Sequence, residues 1–133
     1  MRGDQAPVAM TASRARSDVL IEVTGQVVSV PYIRMTLAVL QAFDVRVVDQ
    51  IGQDGARFIV PAPQPYRGRP YDIEPDASNA SYFLAAPAVT GGRVTVEGLG
   101  ARSVQGDARF VDVLEQMGCR VDREPDRLTV HGP

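Results

Sequence analysis

Three short stretches of this chain recur in order and at nearly constant spacing. Ile21-Glu22-Val23-Thr24-Gly25 is echoed by Val94-Thr95-Val96-Glu97-Gly98, 73 positions on. Val45-Arg46-Val47 is echoed by Cys119-Arg120-Val121 at 74, and Arg57-Phe58-Ile59-Val60 by Arg127-Leu128-Thr129-Val130 at 70. Self-similarity at a fixed period marks a supersecondary unit that is repeated and that shares a core with its neighbours. In 133 residues there is room for two copies of such a unit, not for a large two-lobed enzyme.

Local patterns fill in the unit. Val19–Val28 reads as a strand, and Pro31 sits where a first helical residue belongs. Behind it Ile33, Leu37, Leu40 and Phe43 recur at helical spacing, an amphipathic helix of about three turns. Val45–Val48 and Arg57–Val60 read as strands joined by the polar turn Gly52–Gly55. The run Pro61–Pro70 holds four prolines and breaks regular structure. A short strand, Tyr71–Glu74, is expected next. A helix then starts at Asp76 and runs to about Ala88, with Ala80, Phe83, Leu84 and Pro87 inward. Arg93–Glu97 is a strand, and a glycine-rich loop, Gly98–Gly106, leads to a helix with Phe110, Val113, Leu114 and Met117 inward. Cys119–Asp122 and Arg127–Val130 close the chain as a strand pair. The second unit thus reads as a complete β-α-β-α-β-β from Tyr71 to His131. The first lacks its opening strand and most of its first helix, unless residues 6–16 supply a remnant. The expected divisions are a loose arm over 1–17, an incomplete unit over 18–62, a proline-rich linker over 63–72 and a second unit over 73–133.

Charge and composition remove several classes of function. The net charge of −2 argues against nucleic acid, which demands a basic surplus. All 14 cations are Arg, so no step that needs a Lys amine can be carried by this chain. The hydrophobic share, 44%, is that of a packed protein. The one Cys, Cys119, forms no internal disulfide and fits a core strand; a reducing compartment suits it. No apolar run reaches the roughly 18–20 residues of a spanning helix, and Met1–Ser17 lacks a secretory apolar stretch, which points to the cytoplasm.

Three blocks carry a resemblance to a known family. Val28-Ser29-Val30-Pro31-Tyr32-Ile33-Arg34-Met35-Thr36-Leu37 is the first. Gln64-Pro65-Tyr66 followed by the run from Asp72 to Ala86 is the second. Gly98-Leu99-Gly100 with Ser103-Val104-Gln105-Gly106-Asp107 and Phe110–Gly118 is the third. Together they resemble 5-enolpyruvylshikimate-3-phosphate synthase over about Asp18–Pro133. The resemblance implies an α/β fold of repeated β-α-β-α-β-β units, an inside-out α/β barrel of the enolpyruvyl transferase type. This chain would be a central portion, with one unit incomplete and one complete. It implies transfer of the enolpyruvyl group of phosphoenolpyruvate to the 5-hydroxyl of shikimate 3-phosphate, with release of phosphate and without an organic cofactor or metal.

Ser29 and Tyr32 match the family's contacts to shikimate 3-phosphate. Physically, Ser29 precedes a helix whose positive dipole end favours an anion, and Tyr32 can lay its ring along a carbocycle. From spacing alone, capping and packing a helix is the simpler role for both. Arg34 follows and adds charge, although the family pattern does not require an Arg there. Asp76 is the third substrate-binding candidate, by carry-over; as a plain N-cap it would contribute about 1 kcal/mol whatever else it does. The Gly98–Gly106 loop lacks the Lys-Ser/Thr ending of a P-loop and reads as a structural turn. Arg67 and Arg69 read as a solvated linker pair, and His131 as a surface residue with no evident partner. No residue is assigned a catalytic role. The family surrounds phosphoenolpyruvate with lysines and arginines, and a phosphate plus a carboxylate demands several fixed cations. With no Lys here, turnover by the chain alone is not expected; a second copy or a complementing chain would rebuild part of a cleft. The alternative is a non-catalytic module that keeps part of the shikimate 3-phosphate site.

Overall fold

The computed structural model describes residues 5–133, which divide into two compact units, 5–70 and Tyr71–Pro133. The fold is mixed α/β with antiparallel sheets.

The first unit runs α1 (Gln5–Ala12), β1 (Val19–Thr24), α2 (Val30–Ala42), β2 (Val48–Ile51) and β3 (Gly55–Val60). Its sheet has the order β1-β3-β2, all antiparallel, with Ile21 opposite Phe58 and Val48 opposite Ile59. The period-2 alternation places Ala56, Phe58 and Val60 on the covered face and Arg57 and Ile59 on the other. The turn between β2 and β3 is closed by the Gly52 N–H donating to the Gly55 carbonyl at 2.9 Å. Gly55 must be glycine for a steric reason: a Cβ there would stand 2.6 Å from the Val23 carbonyl oxygen. Leu40 of α2 is the deepest helical residue. With Ala9 and Val45 it forms a small core that Ile21, Leu37 and Val47 complete.

Three expectations change in this unit. The segment over 1–17 is not a loose arm where it is described; residues 1–4 lie outside the described residues. Residues 5–12 are helical, and the small side chain of Ala9 lets α1 pack closely enough to enter the core. The strand expected at Val45–Val48 begins only at Val48. Upstream, the Gln64 side chain takes the place of a strand partner: its Oε1 accepts the Arg46 N–H at 2.9 Å and its Nε2 donates to the Arg46 carbonyl at 2.9 Å. The proline-rich stretch is irregular but tied down as far as Pro70. The Gln64 N–H donates to the Ser13 carbonyl (2.7 Å), the Tyr66 hydroxyl to the Met10 carbonyl (2.6 Å), and the Arg67 N–H to the Phe43 carbonyl (3.1 Å). Arg69 pairs with Asp44 at 3.0 Å, and Arg67 reaches the same carboxylate at 3.8 Å.

The second unit runs α3 (Ala77–Thr90), β4 (Arg93–Glu97), a 3₁₀ turn over Gly106–Arg109, α4 (Phe110–Gln116), β5 (Arg120–Arg123) and β6 (Arg127–His131). Its sheet order, β4-β6-β5, repeats that of the first unit. The core is larger: Ala77, Ala80 and Leu84 of α3 meet Leu99, Ala108, Val111, Leu114, Cys119, Leu128 and Val130. Each large aliphatic buried this way contributes roughly 1.5–3 kcal/mol. Gly100 lies where the chain crosses the β5–β6 turn, and a Cβ would come within 2.5 Å of Glu124 and Asp126 backbone atoms.

Here too the structure corrects particulars. Tyr71–Glu74 forms no strand; Pro70 and Pro75 flank it, and backbone bonds near its end go to a side chain described below. Phe83, Val113 and Met117 face outward, at 66%, 48% and 64% exposure, and Val111 takes the inward place. Helix α3 is apolar around most of its circumference, so hydrophobic spacing alone cannot choose its buried face.

Candidate functional site

The first turn of α2 is built on a strained residue. Ser29 is the residue before α2 and adopts φ 59°, ψ 37°, the left-handed region that non-glycine residues avoid at a cost of roughly 1–2 kcal/mol. Its hydroxyl makes no capping bond to the helix. Its carbonyl, instead, accepts the Tyr32 N–H at 3.0 Å and the Ile33 N–H at 3.4 Å. The Ser29 hydroxyl thus stays outside the capping of α2, although the backbone there is costly. Pro31 supplies no N–H. The turn therefore offers an anion the Ser29 hydroxyl and the positive end of the α2 dipole rather than a ring of amides. No acidic side chain stands in this first turn to compete.

Tyr32 is on the same turn and 57% exposed, so much of its side chain is accessible. Arg34 is exposed two residues further along. The structure brings Ser29 and Tyr32 together on one accessible turn, and neither enters the hydrophobic interior.

Asp76 belongs to the second unit. It is the N-cap of α3: Oδ1 accepts the Ser78 N–H at 2.8 Å and the Asn79 N–H at 3.2 Å, while Oδ2 accepts from Asn79 Nδ2 at 3.1 Å. Both carboxylate oxygens are engaged, so its expected capping role is met, and any further contact must share these acceptors. Around it lie Glu74, Ser78, Ser103, Gln105 and Asp107, a polar cluster the sequence patterns registered only as part of a resembling block. Ser103 Oγ donates to Glu74 Oε2 at 2.7 Å, and the Ser78 hydroxyl to Asp107. The Gly98–Gly106 loop is thus a structural turn that delivers Ser103 and Gln105 to the start of α3.

Two further clusters sit in the second unit. His131 is not alone: its Nε2 lies 2.8 Å from Asp122 Oδ2, and Arg120 Nη2 lies 2.9 Å from the same Nε2 and 3.4 Å from Nδ1. The register that sets Arg120 opposite His131 makes them neighbours on one sheet face, a pairing the linear sequence hides. The hydrogen bond from His131 holds the Asp122 carboxyl below its usual range. Arg123 bridges Glu115 (2.7 Å) and Asp112 (2.8 Å); its hydrogen bonds lower both carboxyls, and its own pKa is raised in return. No group of His, Cys, Asp and Glu suited to a metal ion occurs among the described residues, and no helix among them is long and apolar enough to cross a membrane.

The family sequence model for EPSP synthase (3-phosphoshikimate 1-carboxyvinyltransferase) matches residues 6–133. The chain belongs to the EPSP synthase family. Among curated relatives, the 3-phosphoshikimate 1-carboxyvinyltransferase of Nostoc punctiforme is 48% identical over 124 residues, 93% of this chain and 28% of that protein. The chloroplastic enzymes of Solanum lycopersicum and Arabidopsis thaliana are each 48% identical over 126 residues, 93% of this chain and 24% of theirs. The chain therefore spans about a quarter of the length of these EPSP synthase relatives.

Proposed function

We propose that this chain forms part of a 3-phosphoshikimate 1-carboxyvinyltransferase and contributes a portion of the shikimate 3-phosphate site. The observation that carries the reading is Ser29: a strained serine whose hydroxyl makes no capping bond, beside an exposed Tyr32 on a helix start, in a chain of the EPSP synthase family. Ser29 donates to a phosphate oxygen of the substrate, and Tyr32 lies against its ring. Asp76 is the third contact in this reading. The two units are taken as members of the family's inside-out α/β barrel, with the crossing between lobes near Tyr71–Asp76, and the enzyme as cytoplasmic.

The reaction is transfer of enolpyruvyl from phosphoenolpyruvate to shikimate 3-phosphate. A new C–O bond forms at the 5-hydroxyl, the C–O bond to phosphate breaks, the hydroxyl proton leaves, and inorganic phosphate is released. No organic cofactor enters. The cations that must hold phosphoenolpyruvate include lysines, of which this chain and any second copy of it have none, so a complementing chain is needed for turnover.

Titration of the chain's amide spectrum with shikimate 3-phosphate tests the site. Shifts centred on residues 29–34 are expected, and a flat response at millimolar ligand would remove the reading. A second reading, a non-catalytic module that keeps this half-site, is favoured by the absence of Lys. It is separated by assaying phosphate release from both substrates with a complementing chain that carries the missing family segments present, against a Ser29→Ala, Tyr32→Phe control: release that falls in the control supports the enzymatic reading, and none supports the module.

A further inference from the structure

At the start of α3, Asp76 satisfies the Ser78 and Asn79 N–H groups but not that of Ala77, the first residue of the helix. Gln105 takes it: its Oε1 accepts the Ala77 N–H at 2.9 Å, while its Nε2 donates to the Pro75 carbonyl at 2.8 Å. These two bonds grip the backbone immediately before and after Asp76, as a paired β-strand would. The same Nε2 donates to Glu74 Oε2 at 2.9 Å. Ser103, which donates to that carboxylate, also accepts the Gln105 N–H at 3.1 Å and so steadies the glutamine's own backbone. Asp76 is left with an extended conformation, φ −65° and ψ 111°, from which its carboxylate reaches back over the helix start.

We propose that Gln105 is a positioning residue for Asp76: by bridging the peptide groups on both sides it fixes the direction in which the Asp76 carboxylate points. Glu74 and Ser103 hold the glutamine amide in the one orientation that serves both bonds. The arrangement is internal to the second unit. Its consequence for shikimate 3-phosphate rests on the reading of Asp76 given above.

Amide hydrogen exchange on the whole chain tests it. Gln105→Met keeps the bulk and removes both bonds. Loss of protection at Ala77 alone is what a merely local bond would give. Positioning requires that Ser78 and Asn79, whose acceptor is Asp76 and not Gln105, also lose protection, by about five- to tenfold, while Leu114 and Val130 keep theirs. Unchanged exchange at Ser78 and Asn79 would overturn the proposal. Should Gln105→Met fail to fold, Gln105→Glu retains the acceptor for Ala77 and removes the donor to Pro75 and Glu74. Loosening at Ser78 and Asn79 together with a moved Asp76 carboxyl carbon resonance then supports positioning, and wild-type values for both refute it. Shikimate 3-phosphate added to the unaltered chain reports separately. An unmoved Asp76 signal withdraws the substrate contact and leaves the exchange result standing.

Discussion

The two units share an order of elements, helix-strand-helix-strand-strand, and a sheet order with the last strand in the middle. They differ in how well that plan is filled. In the second unit α3 has 14 residues, and ten buried side chains form one cluster. In the first, among the described residues, α1 has 8 residues and the cluster around Leu40 has three buried members, with Ala12, Ala56, Phe58 and Val60 buried outside it. Irregular chain is tied to the first unit through the Gln64 and Tyr66 side chains, which donate to the Pro61 and Met10 carbonyls. The same topology is thus compatible with two packing qualities, and the candidate substrate turn stands on the thinner one. The strained Ser29 backbone thus sits in the unit with the smaller buried cluster.

The largest expected effects probe this difference. Leu84→Ala removes a side chain that is 1% exposed within the larger cluster, and should cost about 3–5 kcal/mol of second-unit stability. Leu40→Ala, at 2% exposure in the smaller cluster, should cost about 2–3 kcal/mol, because sparser surroundings relax into the space. Amide exchange reports each unit by itself. Equal costs, or the reverse order, would break the comparison.

The helix starts are the next step down. Asp76→Ala removes two bonds to N–H groups and should cost about 1 kcal/mol, read as faster exchange in the first turn of α3. Ser29→Ala should leave α2 within about 0.5 kcal/mol of its original stability, since the hydroxyl does not cap it. Under the proposed function it should nonetheless erase the shikimate 3-phosphate response. A Ser29→Ala chain that loses stability and retains the response would assign the serine to the fold and not to the substrate.

Acid sharpens the contrast from another side. In the second unit Arg123 holds Asp112 and Glu115 below their usual pKa range, near 4. A carboxyl with a depressed folded-state pKa stabilises the fold above its unfolded value, and that contribution is lost as pH falls through the folded value. Stability of this unit should therefore decline as pH drops below about 4, and Arg123→Met should flatten that part of the profile. A profile unchanged by the substitution would remove the bridge as a stabilising element. All three groups are solvated, so the effect is expected to be smaller than that of the cap.

Much of this plan was legible in the residues, and the failures have particular causes. The echo between Arg57–Val60 and Arg127–Val130 located the central strand of each sheet, because alternation at period 2 survives in both. The echo of the first strands is displaced: Ile21 faces Phe58, but it is Val96, not Val94, that faces Leu128. A shift of two keeps every side chain on its face, so hydrophobic pattern cannot detect it. Ser29 and Tyr32 are candidates through their block alone, and the left-handed backbone at Ser29 has no signal in the residue pattern. Gln64 and Gln105 lay within quoted blocks, yet their work as strand surrogates was invisible. Each bonds to backbone 18 to 30 positions away, and no periodicity links a glutamine amide to a distant peptide group.

The smallest expected effect lies on the outer face of the sheets. Across the first sheet, the cross-strand row Leu20, Ile59, Val48 is apolar and exposed. The matching row of the second sheet is Thr95, Thr129, Asp122, in which the two threonine hydroxyls lie 2.8 Å apart. If the plan is shared and only the outer chemistry varies, Ile59→Thr should be accepted. Thr keeps the β-branched shape that suits a strand, and the lost methyl contact with Leu20 and Val48 is on a wetted face. The expected change is within about 0.5 kcal/mol, measured by denaturant unfolding with exchange at Phe58 and Val60 as the local probe. A loss of more than 1 kcal/mol would mean that the apolar row contributes to folding of the first unit, and that the sparse inner core is compensated from outside.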